Sequence, residues 1–294
     1  MLPPELIHEI TASVGGLDAA AIQPIGGGSI NRSYRFSARD GSTYFLKTND
    51  ALAADMFEAE RAGLLELEQA NAVRVPRVLA TGVAGDMAYL LMEYFDLLRP
   101  TRAAGANLGV LLAAQHRCTN SRFGWTRDNT IGSTKQLNAW DDDWIGFLRE
   151  KRLGYQLDLA VANGFEVDGR RSILDRGKML LLRLPDFFVD YEPAPSLLHG
   201  DLWGGNWGAI GGDEPVIFDP AVYYGDREAD IAMTRLFGGF GPGFYDAYND
   251  AWPLDAGFER RCALYNLYHV LNHLNLFGGG YLTQVSDILD RLIA

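Results

Sequence analysis

Cysteine is nearly absent from these 294 residues: only Cys118 and Cys262 occur, far apart, which excludes a disulfide framework or a cysteine-built zinc cluster and fits a reducing compartment. No apolar run approaches the ~18 residues of a membrane span. The first residues carry Glu5 and Glu9 and lack a basic stretch followed by an apolar one, so the chain is expected to be cytoplasmic and unanchored. Positive charge is also scarce. Lys and Arg number 26 against 38 Asp and Glu, a net charge of -12, which argues against a nucleic-acid partner and is neutral to favourable for a cationic small substrate. No GxxxxGK[ST] phosphate loop, HExxH pair, internal repeat or low-complexity segment is present. Hydrophobic content of 48% and charged content of 22% are those of a globular chain with room for one large or two modest domains.

Against these absences, one stretch is dense in chemistry. Leu197-Leu198-His199-Gly200-Asp201-Leu202-Trp203-Gly204-Gly205-Asn206 is followed shortly by Val216-Ile217-Phe218-Asp219-Pro220. An Asp with an Asn five positions later, then a second Asp closing an apolar run, is the spacing of protein-kinase catalytic and metal-binding segments. Gly204 and Gly205 are expected to let the loop turn tightly and bring Asn206 back toward Asp201. Trp207 to Ile210 and Pro215 to Phe218 read as strands joined at Gly211-Gly212-Asp213, a hairpin that returns Asp219 to Asn206. Oxygen ligands beside a candidate base suit Mg²⁺, a hard octahedral ion usually shared with substrate phosphates.

Upstream, Pro3 to Val14 has helical spacing of Leu6, Ile7, Ile10 and Val14 and lies outside the chemistry. Gly26, Gly27, Gly28 and Ser29 form a turn between strands Ile22 to Ile25 and Ser33 to Ser37, with glycines that admit phosphate to the backbone. Asn31 stands where GxGxxG has its third glycine, so the loop alone is a weak signal. Tyr44 to Lys47 is a strand ending in lysine. The helix from about Asp55 to Gln69 sets Phe57, Glu60, Leu64 and Leu67 on one face. A carboxylate there needs a partner, and Lys47 is the expected one for Glu60, with Glu58 as the alternative. Val75 to Leu79 and Met87 to Glu93 complete a five-stranded antiparallel sheet. Beyond it the chain reads as helical: Leu108 to Cys118, Trp140 to Asn163, Arg170 to Val189 and Tyr265 to Phe277, with Ser121 to Asn138 as a long loop over the cleft. His269 and His273, four apart, read as core or interface residues. Asp226, Glu228 and Asp230 read as structural acids at a helix start.

Taken together, these motifs resemble the fructosamine kinase (ketosamine-3-kinase) family of the aminoglycoside-phosphotransferase and protein-kinase-like group, from the glycine loop to the C-terminus. The most specific pieces are LLHGDLWGGNWG, PVIFDPAVYYGDREADIAM with FGGF after it, FGW...NTIG.T.Q.N, DW..FL...RL..Q and LYNLYHVLNHLNLFGGGY. The resemblance implies an α+β, protein-kinase-like two-lobe fold: residues 1–93 as a small antiparallel-sheet lobe with one helix, 94–294 as a larger, mainly helical lobe. It implies Asp201 as catalytic base, Asn206 and Asp219 as Mg²⁺ ligands, and Lys47 as the phosphate lysine with Glu60 as its partner. Glu93, Tyr94 and Phe95 then lie at the exit where main chain reads adenine of ATP, and Trp203 beside the base is placed to pack on the acceptor. The implied reaction is ATP-dependent phosphorylation of a sugar hydroxyl of a ketosamine, free or protein-bound, as in protein deglycation. Rival readings are a kinase of the same fold acting on an aminoglycoside or choline-like acceptor, a metal-dependent phosphoesterase built from His199, Asp201, Asn206 and Asp219, and a nucleotide-binding module without turnover. The oligomeric state is not readable from sequence.

Overall fold

The structure, a computed structural model, describes residues 2–17, 22–26, 30–168 and 171–294. A five-stranded antiparallel sheet is built from β1 (Gln23–Ile25), β2 (Arg32–Ser37), β3 (Thr43–Asp50), β4 (Val78–Ala84) and β5 (Met87–Glu93), in the order β1-β2-β3-β5-β4. Side chains alternate across a strand, and β5 shows the consequence. Tyr89 and Leu91 join Leu6 and Ile10 of α1 (Pro4–Val14), whereas Ala88, Leu90 and Met92 join Phe57, Leu64 and Leu67 of α2 (Ala54–Ala70). Helix α1, expected outside the chemistry, thus closes the outer face of the sheet, and α2 closes the inner one. Strand β3 follows the same rule: Leu46 turns to α1, and Lys47, paired in register with Leu90, is buried on the other face.

The fourth strand starts at Val78, later than the expected Val75. Pro76 has no N–H to donate to a ladder, and the Glu93 amide bonds to Arg77 O (2.9 Å) just before the strand begins.

The rest of the chain is mainly helical, as expected. After the short β6 (Leu97–Leu98) come α3 (Arg102–His116), a hairpin of β7 (Asn129–Ile131) and β8 (Thr134–Gln136), α4 (Trp144–Phe147), and α5 (Tyr155–Ala162). Two-residue strands β9 (Val167–Asp168) and β10 (Arg171–Ser172) precede α6 (Ile173–Arg183). Then follow β11 (Ser196–Leu198), β12 (Trp207–Ile210), β13 (Glu214–Ile217), β14 (Tyr223–Gly225), α7 (Glu228–Leu236), α8 (Pro242–Ala251), α9 (Phe258–Phe277) and α10 (Leu282–Ile293). No helix among the described residues is long and apolar enough to cross a membrane.

Several expectations change, among them the helix expected over Arg170 to Val189, which as an α-helix covers only Ile173–Arg183. The single helix expected over Trp140 to Asn163 is broken: α4 passes through a π-helical segment, Leu148–Gly154, before α5. The wider turn carries Arg152 into the core, where it donates to Leu137 O (2.6 Å) and Asn138 Oδ1 (2.8 Å) and lies 4.0 Å from the centre of the Tyr223 ring. The segment 121–138 borders the cleft as expected, through residues 129–132, but its 129–136 part is a packed hairpin rather than a loop. Its Asn129 and Gln136 are buried because they donate to the carbonyls of Val222 and Ala221, satisfying backbone that no strand partner reaches.

Helix packing is tightest where α3 crosses α8. A Cβ on Gly109 would lie 2.3 Å from Phe244 O and 2.9 Å from Tyr248 N, both backbone, while a Cβ on Gly105, one turn earlier, would meet nothing within 4 Å. Gly109→Ala is therefore expected to cost about 1–3 kcal/mol by overpacking, whereas Gly105→Ala gains up to about 1 kcal/mol from helix propensity. Thermal melts of the two variants should move in opposite directions.

Candidate active site

Strand β11 ends in the segment His199 to Asn206, and its shape is set by Gly200 and Asp230. Gly200 adopts φ +84°, and a side chain there would place Cβ 2.0 Å from Ala221 O. Its amide and that of His199 donate to the Asp230 carboxylate at 2.9 and 2.7 Å. Burial alone would raise the Asp230 carboxyl, but the hydrogen bond from His116 and the charges around it hold it below the usual range. Asp226, Glu228 and Asp230, expected to act through the dipole at the start of α7, are instead buried and individually partnered. Asp226 accepts from Tyr191 (2.8 Å) and Tyr265, Glu228 pairs with Arg261 (2.7 Å), and Asp230 carries the loop.

Gly204 and Gly205 form the expected tight turn, with Asn206 N donating to Trp203 O (2.9 Å), but glycine is needed there for a different reason. Neither has positive φ. A Cβ on Gly205 would fall 2.3 Å from the Trp203 ring, and one on Gly204 would meet Gly238 O at 2.9 Å. The two glycines make room, one for the indole and one for the Gly238-Gly239 turn.

Asn206 closes the loop by donating from Nδ2 to Asp201 O (2.9 Å) and Asp201 Oδ2 (3.3 Å), with Asp219 O at 3.4 Å. The β12–β13 hairpin, turning through positive-φ Gly211 and Gly212, brings Phe218 N to Asn206 O at 3.0 Å. Asp219 itself takes φ +57°, which no strand geometry requires, and its Oδ1 lies 2.5 Å from Lys47 Nζ. Lys47 also donates to Glu60 Oε1 at 2.7 Å. Burial would lower the Lys47 ammonium, but Asp219 and Glu60 outweigh it and hold it charged. Glu58 turns away and pairs with Arg61, so Glu60 is the lysine's helix partner.

Helix α2 is fastened to the larger lobe near both ends, by Asp55 with Arg127 (2.5 Å) and Glu66 with Tyr224 Oη (2.7 Å). Between them Gly63 lets it approach Val222. Glu60 is therefore delivered to Lys47 by contacts that also fix the segment after Asp219.

These groups line a cavity of about 910 Å³. Gly26, Glu93, Tyr94, Phe95, Trp203, Asn206 and Asp219 all reach its wall; Gly27, Gly28 and Ser29 lie outside the described residues. The Glu93 side chain pairs with Arg74 (2.8 Å) and its amide is bonded to Arg77, so Glu93 has no free N–H for a ligand. Tyr94 and Phe95 lie under Arg35 and Arg74. Thr130, Ile131 and Gly132 of the hairpin also line the cavity, as do Asn272, His273, Phe277 and Tyr281. Residue patterning did not assign these because the hairpin shows no clean alternation and α9 buries residues, polar ones among them, on nearly every face.

Electrostatically the cavity is short of positive charge. Among its described lining residues Lys47 is the one lysine or arginine, against Glu60, Glu93, Asp96, Asp201 and Asp219. Burial, with Asp219 and Asp230 nearby, pushes the Asp201 carboxyl up to about 7, and the Asn206 amide offsets this only in part. A divalent cation fits this donor set. Among the described residues no three His, Cys, Asp or Glu side chains converge on a metal, so the cation would rest on Asn206 and Asp219 and share its remaining positions with phosphate and water. His199 is not available as a ligand: Nε2 bonds to Phe218 O (3.0 Å) and Nδ1 faces the Asp201 amide (3.3 Å). His269 is buried, with its imidazole held down to about 3 by desolvation.

The Asp201 geometry has a thermodynamic consequence. Its folded pKa lies above the unfolded value near 3.8, so the folded state binds more protons and loses stability as pH rises through about 4 to 7. Asp201→Asn removes that cost. It is expected to raise the melting temperature by about 2–4 °C at pH 8, with the gain shrinking toward pH 5; a gain independent of pH would contradict the burial argument.

Comparison with known proteins identifies similar chains. The fructosamine kinase family model matches residues 5–294. A protein named "probable ketoamine kinase" from Synechocystis is 43% identical over 271 residues, covering 92% of this chain and 89% of its own. The chloroplastic protein-ribulosamine 3-kinase of Arabidopsis thaliana is also 43% identical, over 272 residues and 92% and 81% of the two chains. A crystal structure from Haemophilus somnus, named a "putative fructosamine-3-kinase", superposes with a TM-score of 0.88 at 25% identity over 99% of this chain and 97% of the other. An aminoglycoside phosphotransferase solved with streptomycin and ATP shares the fold, with a TM-score of 0.67 at 14% identity over 99% and 97% of the chains.

Proposed function

The chain belongs to the fructosamine kinase family and is a phosphotransferase with a ketosamine sugar hydroxyl as acceptor; from that premise we propose that Asp201 is the base and ATP the donor. The observation that carries the reading is the convergence of Asp201, Asn206, Asp219 and Lys47 on one wall of the cavity. In the proposed step a bond forms between the acceptor oxygen and the γ-phosphorus, the bond from that phosphorus to ADP breaks, and the hydroxyl proton passes to an Asp201 oxygen. A base poised near 7 is suited to that transfer at neutral pH.

Lys47 is assigned to the nucleotide phosphates, with Glu60 fixing its reach and Asp219 holding it in place before they arrive. Held by Asn206 and Asp219, Mg²⁺ would neutralise charge on the phosphates as it builds. Gly26 with Gly27, Gly28 and Ser29 is assigned to cover the phosphates. The adenine is assigned to the exit strand at Tyr94 and Phe95, between lobes of residues 1–93 and 94–294; Glu93 would act there through its carbonyl, its amide being engaged. Positioning and electrostatics, rather than covalent chemistry, supply the acceleration. We also place the reaction in the cytoplasm, where ATP is abundant and Cys118 and Cys262 can stay unpaired.

The phosphoesterase reading needs His199 as a metal ligand, and both its ring nitrogens are engaged within the loop. Asp201→Asn is expected to lower kcat by at least about 10³-fold with ketosamine and Mg²⁺-ATP, with nucleotide binding intact by calorimetry. Lys47→Met should weaken nucleotide binding itself. Retained turnover in Asp201→Asn would remove Asp201 from the base role.

A further inference from the structure

Beyond the reacting groups, one end of the cavity is walled by rings. His273 on α9 stands at their centre, its ring centroid 4.9 Å from Phe237, 5.2 Å from Tyr281 and 5.5 Å from Phe277. Phe237 in turn meets Trp203 edge-on at 6.3 Å, two residues from Asp201. All five line the cavity. The rings are not core residues in the ordinary sense, since Trp203, Phe237 and Phe277 are 39%, 41% and 52% exposed. Exposed aromatic clusters of this kind mark ligand surfaces.

The hydrogen bonding of His273 fixes what it can offer. Nδ1 lies 2.8 Å from His269 O. A carbonyl only accepts, so Nδ1 carries the proton, and the Nε2 of the neutral ring presents a lone pair with no partner among the described residues. Burial keeps the ring neutral by lowering its pKa, against the opposing pull of that carbonyl. This end of the cavity is therefore electron-rich without being charged: ring faces and one acceptor nitrogen, while Asp201 and Asp219 lie at the reacting centre and Glu60, Glu93 and Asp96 on the nucleotide side.

We propose that His273, with Trp203, Phe237, Phe277 and Tyr281, is the subsite that reads the protonated amine of the acceptor, Nε2 accepting its N–H and the rings holding the cation by their faces. The inference rests on the ketosamine reading above and deepens it. An aliphatic amine bearing the sugar is a cation at neutral pH with N–H groups to donate, and ring faces favour cations over neutral groups of the same shape. The half-exposed rings leave room for whatever alkyl stem the amine carries, a lysine side chain of a protein included, whereas a carboxylate in this position would bind any cation regardless of its substituents. Discrimination thus falls on the nitrogen, and the sugar hydroxyl is left to Asp201.

The test compares a 1-alkylamino-1-deoxy-fructose with the matching 1-O-alkyl fructose, which keeps the shape and removes the charge and the N–H. The wild-type enzyme should prefer the amine at least tenfold in kcat/KM, mostly through KM. His273→Leu should erase most of that preference by lowering the amine's kcat/KM about tenfold more than the ether's, at unchanged affinity for Mg²⁺-ATP. Phe277→Ala, at the solvent-open edge, provides a second readout if His273→Leu does not fold, and should reduce the same preference severalfold. Equal use of amine and ether by the wild type, or equal loss on both substrates in the variants, would overturn the subsite while leaving the kinase reading intact. Wild-type failure to consume ATP with either substrate would instead overturn that reading.

Discussion

The ion contact of Lys47 with Glu60 and Asp219 is the constraint on which the rest of the site depends. One ammonium, buried on the inner face of β3, is shared between a helix of the small lobe and the end of a hairpin in the large one. Removing Lys47 would leave two carboxylates without their cation, Glu60 in a poorly solvated place, a costly arrangement, so sheet, helix and hairpin are held in mutual register by one group. The fastening of α2 through Asp55 and Glu66 serves the same end. The carboxylates lining the cavity exceed its cations, which suits a ligand that brings positive charge with its phosphates.

A second layer of buried charge holds the catalytic segment from behind. Asp230 takes two backbone amides of the segment and is itself held by His116, which bonds through Nδ1 to Tyr248 Oη at 2.8 Å. Such a network is stabilising only when every member is satisfied. Here it fixes the backbone of His199 and Gly200, and with it the direction of Asp201. Rigid support behind and an ill-solvated carboxylate in front go together: in the proposed role, the stability given up at Asp201 is what would let its oxygen take a proton near neutral pH.

How much of this was legible in the sequence depends on the range of the interaction. Local patterns read well: the strand Met87 to Glu93, the face of α2 that carries Glu60, and the hairpin that returns Asp219 to Asn206 all follow from apolar patterning and turn residues. Features set by distant backbone did not. Gly204 and Gly205 are the turn glycines the sequence suggests, but what demands glycine there is the Trp203 ring and the Gly238-Gly239 turn, visible only once those are in place. The π segment at Arg152 answers to Tyr223 and Leu137, and Asn129 and Gln136 answer to carbonyls more than eighty residues away. His273, spaced like a metal ligand with His269, takes its meaning from rings just after α7 and at and beyond the end of α9.

The central claim is that this cavity couples Mg²⁺-ATP to a ketosamine hydroxyl, and the most direct measurement is ATP consumption by the purified protein across acceptors. Small fructosamine and ribulosamine conjugates should drive turnover, while an aminoglycoside and choline should leave it at the level seen without acceptor. Turnover driven by the aminoglycoside or choline and not by either ketosamine would contradict the account.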